Sequence, residues 1–254
     1  MRIDLLLVKK NLVPTRTKAQ DMIKNGQVFV VVDNCRKMVL KVSEDFPETA
    51  QFEITSGFAT EFVSRAGHKI KGASEFLNLS FKNKICLDVG VSTGGFSDFM
   101  LRAGASRVIG IDVGQDQTHS SLKNDSRFML LEKVNARYLH DNQAFQHLVP
   151  KTGFDFICMD VSFISMKLIL PELFPLLDDT GQILVLIKPQ FELGPDALNE
   201  RGVVKDSRQY VQLEKSMVEA AEKMGFVARK YFPSSIEGKD GNKEFFLFLS
   251  KNRG

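Results

Sequence analysis

From Lys84 to the end of the chain, short apolar runs alternate with stretches of helical periodicity. The runs are Ile85–Val89, Val108–Ile111, Phe128–Leu131, Phe156–Met159, Ile183–Ile187, Phe226–Tyr231 and Phe245–Leu249. Near-continuous apolar runs of this length read as strands buried on both faces. Helices are expected near Phe96–Ala103, Ile164–Leu177 and Arg208–Met224. The last has Tyr210, Leu213, Met217 and Ala220 on one face, Asp206-x-x-Gln209 as a capping box and Gly225 as its stop. Alternation of this kind predicts an α/β fold with a doubly wound, Rossmann-like sheet.

The front of the chain has a different rhythm. Leu5–Val8 with Leu12 predicts one short helix; Ala19, Met22 and Ile23 give a second its apolar face, and Gly26 stands where a helix stop belongs. Val28–Val32 reads as a strand, Asp33-Asn34 as a turn, Met38–Leu40 as the partner strand and Gln51–Thr55 as a last strand. A linker follows, then a helix starting near Gly67 that buries Ile70, Ala73, Phe76 and Leu77. The division predicted is a small basic α+β domain over 1–56, a linker over 57–63 and a larger domain over 64–254.

The sharpest local feature is the stretch from Lys84 to Ser97. A strand runs into a turn of small residues, Gly90-Val91-Ser92-Thr93-Gly94-Gly95, and a helix begins at Phe96. Glycines let the backbone approach a ligand, and free N–H groups at the helix start face it. Gly90-x-x-x-Gly94-Gly95 behind Asp88 is a poor match to the dinucleotide fingerprint G-x-G-x-x-G. It resembles motif I of the S-adenosylmethionine-dependent methyltransferases.

Composition narrows the class. In 254 residues, 43% are apolar and 26% charged, enough for a core and for two unequal domains. Cys35, Cys86 and Cys158 are scattered, with no C-x-x-C pair, and the latter two read as small buried hydrophobes. With no signal peptide at the start and no run of membrane-spanning length, the chain is expected to be cytoplasmic. The net charge of +3 is unevenly spread: residues 1–41 hold nine Lys/Arg against three acids, whereas 42–54 hold four acids and no base. Basic charge at the front is the footprint of a nucleic-acid contact.

Ligands of open parallel sheets bind beyond the carboxyl ends of the strands. Asp112 closes the second strand, where an acid can accept hydrogen bonds from ribose hydroxyls, with Val113 beside it. Asn135 follows the third at the height expected for adenine. Asp160 closes the fourth and Lys188 the fifth. After five apolar residues, an ionised Lys188 needs a carboxylate partner, and Asp160 lies one strand away. His68, His119, His140 and His147 lack catalytic or metal spacing and read as surface or loop residues.

Two resemblances cover the chain. Arg2-Ile-Asp-x-x-Leu and Arg16-x-x-Ala19-x-x-x-Ile23-x-x-Gly26-x-Val28-x-Val30 resemble the ribosomal S-four-like RNA-binding domain, with Thr15 for a usual Ser and Asp33-Asn34 for a usual Asn-Gly. That resemblance implies phosphate contacts by Arg16, Lys18 and Lys24, with Arg2, Arg36 and Lys37 nearby. The motifs Ser64-Arg65-Ala-Gly-x-Lys69, Asp88 to Asp98, Asp112-Val-Gly114, Asn135-Ala-Arg137, Asp160 to Ser165, Lys188 to Glu192, Gly202-Val-Val and Gly238-x-x-Gly241-Asn-x-Glu244-Phe resemble the TlyA family. Its members are ribosomal-RNA 2′-O-methyltransferases, often labelled haemolysins, that join such an RNA-binding domain to an FtsJ-like catalytic domain. Val91 for a usual Ala, Ala66 for a usual Gly, and Thr118 and Ser120 for larger apolar residues are the departures.

The resemblance implies a catalytic tetrad of Lys69, Asp160, Lys188 and Glu244. It also implies S-adenosylmethionine held by residues 90–95, Asp112, Val113, Asn135 and Asp160, with Arg65 among the RNA contacts, no metal, and ribosomal RNA or ribosomal subunits as partner. Methyl transfer requires aligned reactants and removal of a proton from a weak nucleophile. Lys188 is either the base, with Lys69 as the neighbouring cation, or a charged group that orients the hydroxyl. Competing readings are a membrane-lytic protein, for which the chain has no spanning or strongly amphipathic segment, an RNA-binding protein with an inactive catalytic domain, and a nicotinamide-dependent enzyme.

Overall fold

The computed structural model describes residues 1–24, 26–32, 35–39, 41–54, 61–238 and 242–251; the side chains of Lys24, Val32 and residues 35–38 lie outside this set. The chain divides into two compact units, Met1–Arg65 and Ala66–Gly254.

In the first unit, α1 (Ile3–Lys9) turns Ile3, Leu6 and Leu7 inward at helical spacing, and α2 (Arg16–Lys24) adds Ala19 and Ile23. Thr15 Oγ1 accepts the Lys18 N–H at 3.2 Å, capping α2 as the usual Ser would. Gly26, at φ +68°, ends it, and the Gln27 N–H returns to the Met22 carbonyl. β1 (Val28–Val32) is central in an antiparallel sheet ordered β2-β1-β3, with β2 at Cys35–Met38 and β3 at Gln51–Ile54. The partner strand thus lies earlier than Met38–Leu40, because Phe29 pairs with Met38 and Val32 with Cys35. The Asp33-Asn34 turn, Leu40 and Thr55 fall outside the described residues.

Asp4 is fully buried in this unit and accepts hydrogen bonds from Gln20 (2.8 Å), Arg16 (2.8 Å) and both Nε and a terminal nitrogen of Arg2. Burial alone would raise its pKa; these donors outweigh burial and hold it at about 2, against an ordinary 3.8. A depressed carboxylate adds stability above its unfolded pKa and loses it as the pH falls through the folded value. Asp4 should therefore contribute about 2 kcal/mol at neutral pH, lost between about pH 4 and 2. Amide exchange across residues 3–32 should show Asp4→Asn weakening this unit by that amount at pH 7, with no difference from the parent near pH 2. Equal protection at pH 7 would refute this.

The second unit starts with α3 (Ala66–Leu77). There follow β4 (Ile85–Val89), α4 (Gly95–Arg102), β5 (Arg107–Asp112), α5 (Ser120–Lys123), β6 (Phe128–Glu132), α6 (Gln143–Gln146) and β7 (Phe154–Met159). The remaining elements are α7 (Leu170–Leu173), β8 (Leu177–Ile187), α8 (Pro189–Glu192), α9 (Arg208–Lys223), β9 (Val227–Pro233) and β10 (Phe245–Ser250). Seven strands form one sheet in the order β6-β5-β4-β7-β8-β10-β9; β4 to β8 run parallel, and β10 is antiparallel to both its neighbours. One face packs Leu87, Ile157 and Val185 against Leu213, Met217 and Ala221 of α9. On the other face Met100 of α4 meets Cys158, and Phe81 meets Phe156 edge to face.

Four expectations need correction. The helix expected over Ile164–Leu177 is only a single 3-10 turn, Met166–Leu168, and the four-residue α7, since Pro175 would clash with the carbonyl four residues earlier and Leu177 already pairs with Phe154 in β8. Phe76 is not buried by α3 but 59% exposed, its ring 4.5 Å from that of Phe232, and Leu77 is only half-buried. The Asp206–Gln209 capping box is not made: Asp206 accepts the Arg208 N–H, Gln209 Oε1 has no partner among the described residues, and Ala221 rather than Ala220 faces the core. His68 is buried on α3, whereas His119, His140 and His147 are exposed. Cys86 and Cys158 are buried thiols pushed up by burial, Cys86 to about 12.

Candidate active site

β4 delivers the chain to Gly90 at φ +88°, where an added Cβ would run into the Asp160 carbonyl oxygen. Only glycine combines that conformation with that approach. Gly94, at φ +97°, is closed on by Leu122 in the same way. Val91 is buried against Gly110, while Ser92 and Thr93 are exposed at the tip of the turn and Gly95 starts α4. Asp112, at the end of β5, braces the turn: Oδ2 accepts the Ser92 N–H at 2.7 Å and Oδ1 the Gly114 N–H at 2.6 Å. Thr118 Oγ1 donates to the Ser92 carbonyl at 3.0 Å, so the hydroxyl at this position holds the turn where a larger apolar residue would only pack. Val113 is 73% exposed beside Asp112. Asn135 is exposed after β6, its Oδ1 accepting the Arg137 N–H. Asp88 faces inward and accepts from Ser97 Oγ at 2.6 Å; its burial raises its pKa to about 6.

Strand register gathers the charged residues. Phe245 pairs with Ile187, so Glu244 before β10 and Lys188 after β8 are cross-strand neighbours. Met159 pairs with Val185, which places Asp160 at the same sheet edge. The Lys188 ammonium lies 2.6 Å from Asp160 Oδ1 and donates to Ser162 Oγ at 2.8 Å. The Asp160 contact is a close ion pair without hydrogen-bond alignment, and Oδ1 has no aligned donor among the described residues. Lys69 on α3 donates to Glu244 Oε2 at 2.5 Å; these side chains are only 12% and 4% exposed. Gly72, one turn after Lys69, lets α3 close on Ser235, and Gly238 leaves room for Glu244 Oε1. Two lysine–carboxylate pairs therefore stand at one edge, next to the glycine turn that touches Asp160. Among the described residues no cluster of His, Cys, Asp and Glu could hold a metal.

The FtsJ-like methyltransferase family matches residues 62–251, and the S4 domain matches residues 1–30. The chain belongs to the FtsJ-like methyltransferases. It is 33% identical over 248 residues to the 16S/23S rRNA (cytidine-2′-O)-methyltransferase TlyA of Mycobacterium tuberculosis, covering 98% of this chain and 89% of that one. A solved Streptococcus thermophilus structure described as a hemolysin aligns with a TM-score of 0.74 at 34% identity, covering all of this chain and 89% of that one. An S-adenosylmethionine-dependent methyltransferase structure from Mesorhizobium loti shares the fold, with a TM-score of 0.52 at 14% identity over 72% of this chain and 98% of that one.

The other residues picked out in this FtsJ-like chain have mixed surroundings. Lys18 is exposed on α2, and Arg2 and Arg16 are about half exposed but tied to Asp4. Arg65 is half-buried in the first unit; the side chains of Lys24, Arg36 and Lys37 lie outside the described residues. Sequence reasoning missed Ser162 and Thr118 as contacts within the site, and also Phe163. Phe163 is 90% exposed at φ +64°, with its ring 5.0 Å from that of Phe191. A bulky residue rarely takes that conformation. Its signals in sequence were its place inside the Asp160-to-Ser165 motif and its position three residues after the acid that ends a strand.

Proposed function

We propose that this chain transfers a methyl group from S-adenosylmethionine to a ribose 2′-hydroxyl of ribosomal RNA, at a cytidine. The observation that carries the reading is the meeting of Lys69–Glu244 and Lys188–Asp160 at one sheet edge beside the glycine turn. The base and the ribosomal substrate follow from the activity in the name of the M. tuberculosis relative. Residues 1–56 are read as the RNA-binding domain, 57–63 as linker and 64–254 as the catalytic domain. The cytoplasm is the compartment that suits this substrate.

The turn fits the cofactor. Gly90 and Gly94 let the turn pack closely on Asp160 and Leu122, each Asp112 oxygen retains a lone pair for a ribose hydroxyl after taking one N–H, and exposed Val113 offers an apolar surface to a base. When bound, S-adenosylmethionine supplies an electrophilic methyl group. Lys188 positions the acceptor: Ser162 takes one of its three N–H bonds and Asp160 holds its charge at 2.6 Å, which leaves an N–H for the hydroxyl oxygen. In this reading the Asp160 carboxylate, the anion paired with Lys188, takes the hydroxyl proton as the methyl group is transferred. Lys69, fixed by Glu244, adds positive charge to the same edge. Phe163 is a platform on which an unstacked base can lie.

Incubating ribosomal subunits and naked ribosomal RNA with labelled cofactor, then mapping the label, tests the whole reading; label on a cytidine 2′-oxygen is expected, and label on a base or on no RNA would refute it. S-adenosylmethionine at a hundredfold excess over its Kd should stabilise the second unit by about 2.7 kcal/mol, while NAD should leave it unchanged. In the first unit, Arg16→Glu with Lys18→Glu should weaken RNA binding and flatten its salt dependence by about one unit of log–log slope per lost phosphate contact. An unaltered slope would assign that surface to another partner. The hemolysin label on the S. thermophilus structure has little physical support here, since among the described residues no helix is long and apolar enough to cross a membrane.

A further inference from the structure

Asp160 follows β7 and Lys188 follows β8, and the pairing of those strands sets the two side by side, but no strand pairing fixes the loops beyond them to each other. Glu192, at the end of α8, does. One carboxylate oxygen accepts Ser165 Oγ at 2.5 Å and the other accepts the Met166 N–H at 2.8 Å. Ser165 also accepts the Lys167 N–H at 3.2 Å, so its hydroxyl proton is committed to Glu192 and its lone pair to the turn. Between the strand end and this tie lie Asp160, Ser162 and Phe163, which are also the residues that meet Lys188 and Phe191. The five residues from Lys188 to Glu192 and the seven from Asp160 to Met166 thus form a closed loop pair, joined at one end by Lys188 and at the other by Glu192.

Building this tie has a cost that a surface carboxylate would avoid. Glu192 is largely desolvated, which raises its pKa, and its bonds to Met166 and Ser165 offset part of that penalty. No strand depends on it: α8 is a single turn, and the Met166 N–H that it takes opens only the short 3-10 turn Met166–Leu168.

We infer that Glu192 is a positioning residue for methyl transfer, holding the 161–166 loop in the register that brings Ser162 to Lys188 beside Asp160. The inference rests on the proposed function for its chemical consequence, but the tie itself can be read separately. Glutamine can replace the carboxylate, since its Oε1 can accept the Met166 N–H while its amide donates to a reoriented Ser165 hydroxyl. Alanine cannot.

The full chain carrying Glu192→Ala should lose at least about thirtyfold in kcat, with KM for RNA and Kd for S-adenosylmethionine within about threefold of the parent. Glu192→Gln should stay within about threefold of the parent in all three. Ser165→Ala, which keeps the Met166 bond, should fall between them, and adding it to Glu192→Ala should cause no further loss. Amide exchange at Met166 should be slow in the parent and Glu192→Gln and fast in Glu192→Ala. Fast exchange without a fall in kcat overturns the positioning role, as does a Glu192→Gln enzyme as slow as the alanine variant. If the parent chain methylates no RNA, the proposed function fails instead, and the Met166 exchange pattern still reports whether Glu192 holds the loop.

Discussion

Lys188→Ala should reduce methyl transfer by on the order of 10² to 10⁴ while leaving the affinity for S-adenosylmethionine near that of the parent, because the substitution removes the group that faces the acceptor and none that lines the glycine turn. Single-turnover transfer with saturating cofactor, alongside a separate binding titration, would measure both quantities. Lys188→Arg adds a second test. A guanidinium keeps hydrogen-bond donors but does not serve as a base, so measurable residual transfer by that variant favours an orienting role. Wild-type transfer by the alanine variant would remove Lys188 from the chemistry altogether.

Lys69→Met should destabilise the second unit by about 3 to 5 kcal/mol, since it strands a carboxylate that is only 4% exposed. In a unit of this size that corresponds to a fall in Tm of roughly 10 °C. Lys69→Met with Glu244→Leu should recover most of the loss, because an apolar pair of similar volume needs no mutual charge compensation. The double variant should still be without methyl transfer. Recovery of stability without activity would separate what the pair does for the fold from what it does for the reaction. A single variant as stable as the parent would mean that Glu244 finds another donor.

What the sequence disclosed, and what it withheld, follows from how local each feature is. The sheet strands were visible because strands covered on both faces are written as apolar runs, and the glycine turn because Gly90 and Gly94 occupy conformations other residues avoid. Lys188 stood out because it ends such a run, and Asp160 lay in the adjacent strand; Lys69 and Glu244, 175 positions apart, could be joined only through the family resemblance. Helical spacing put Phe76 one turn beyond Ala73 but could not show that Phe232 on β9 would meet its ring at the surface. Pro175, by contrast, is itself a sequence signal against the long helix expected before β8. The contacts of Ser162, Phe163, Thr118 and Glu192 depend on loop conformation, including a positive φ at a phenylalanine, for which apolar periodicity carries no signal.

The placement of β10 has a bearing on biosynthesis. Among the described strands it comes last in sequence, yet it is inserted between β8 and β9, and the carboxylate that holds Lys69 lies immediately before it. A nascent polypeptide already containing the glycine turn, Asp160 and Lys188 therefore has an unfinished sheet and a lysine without its counter-ion. Adding β10 both closes the sheet and neutralises that lysine, so the two pairs of charges are completed in a single step of folding.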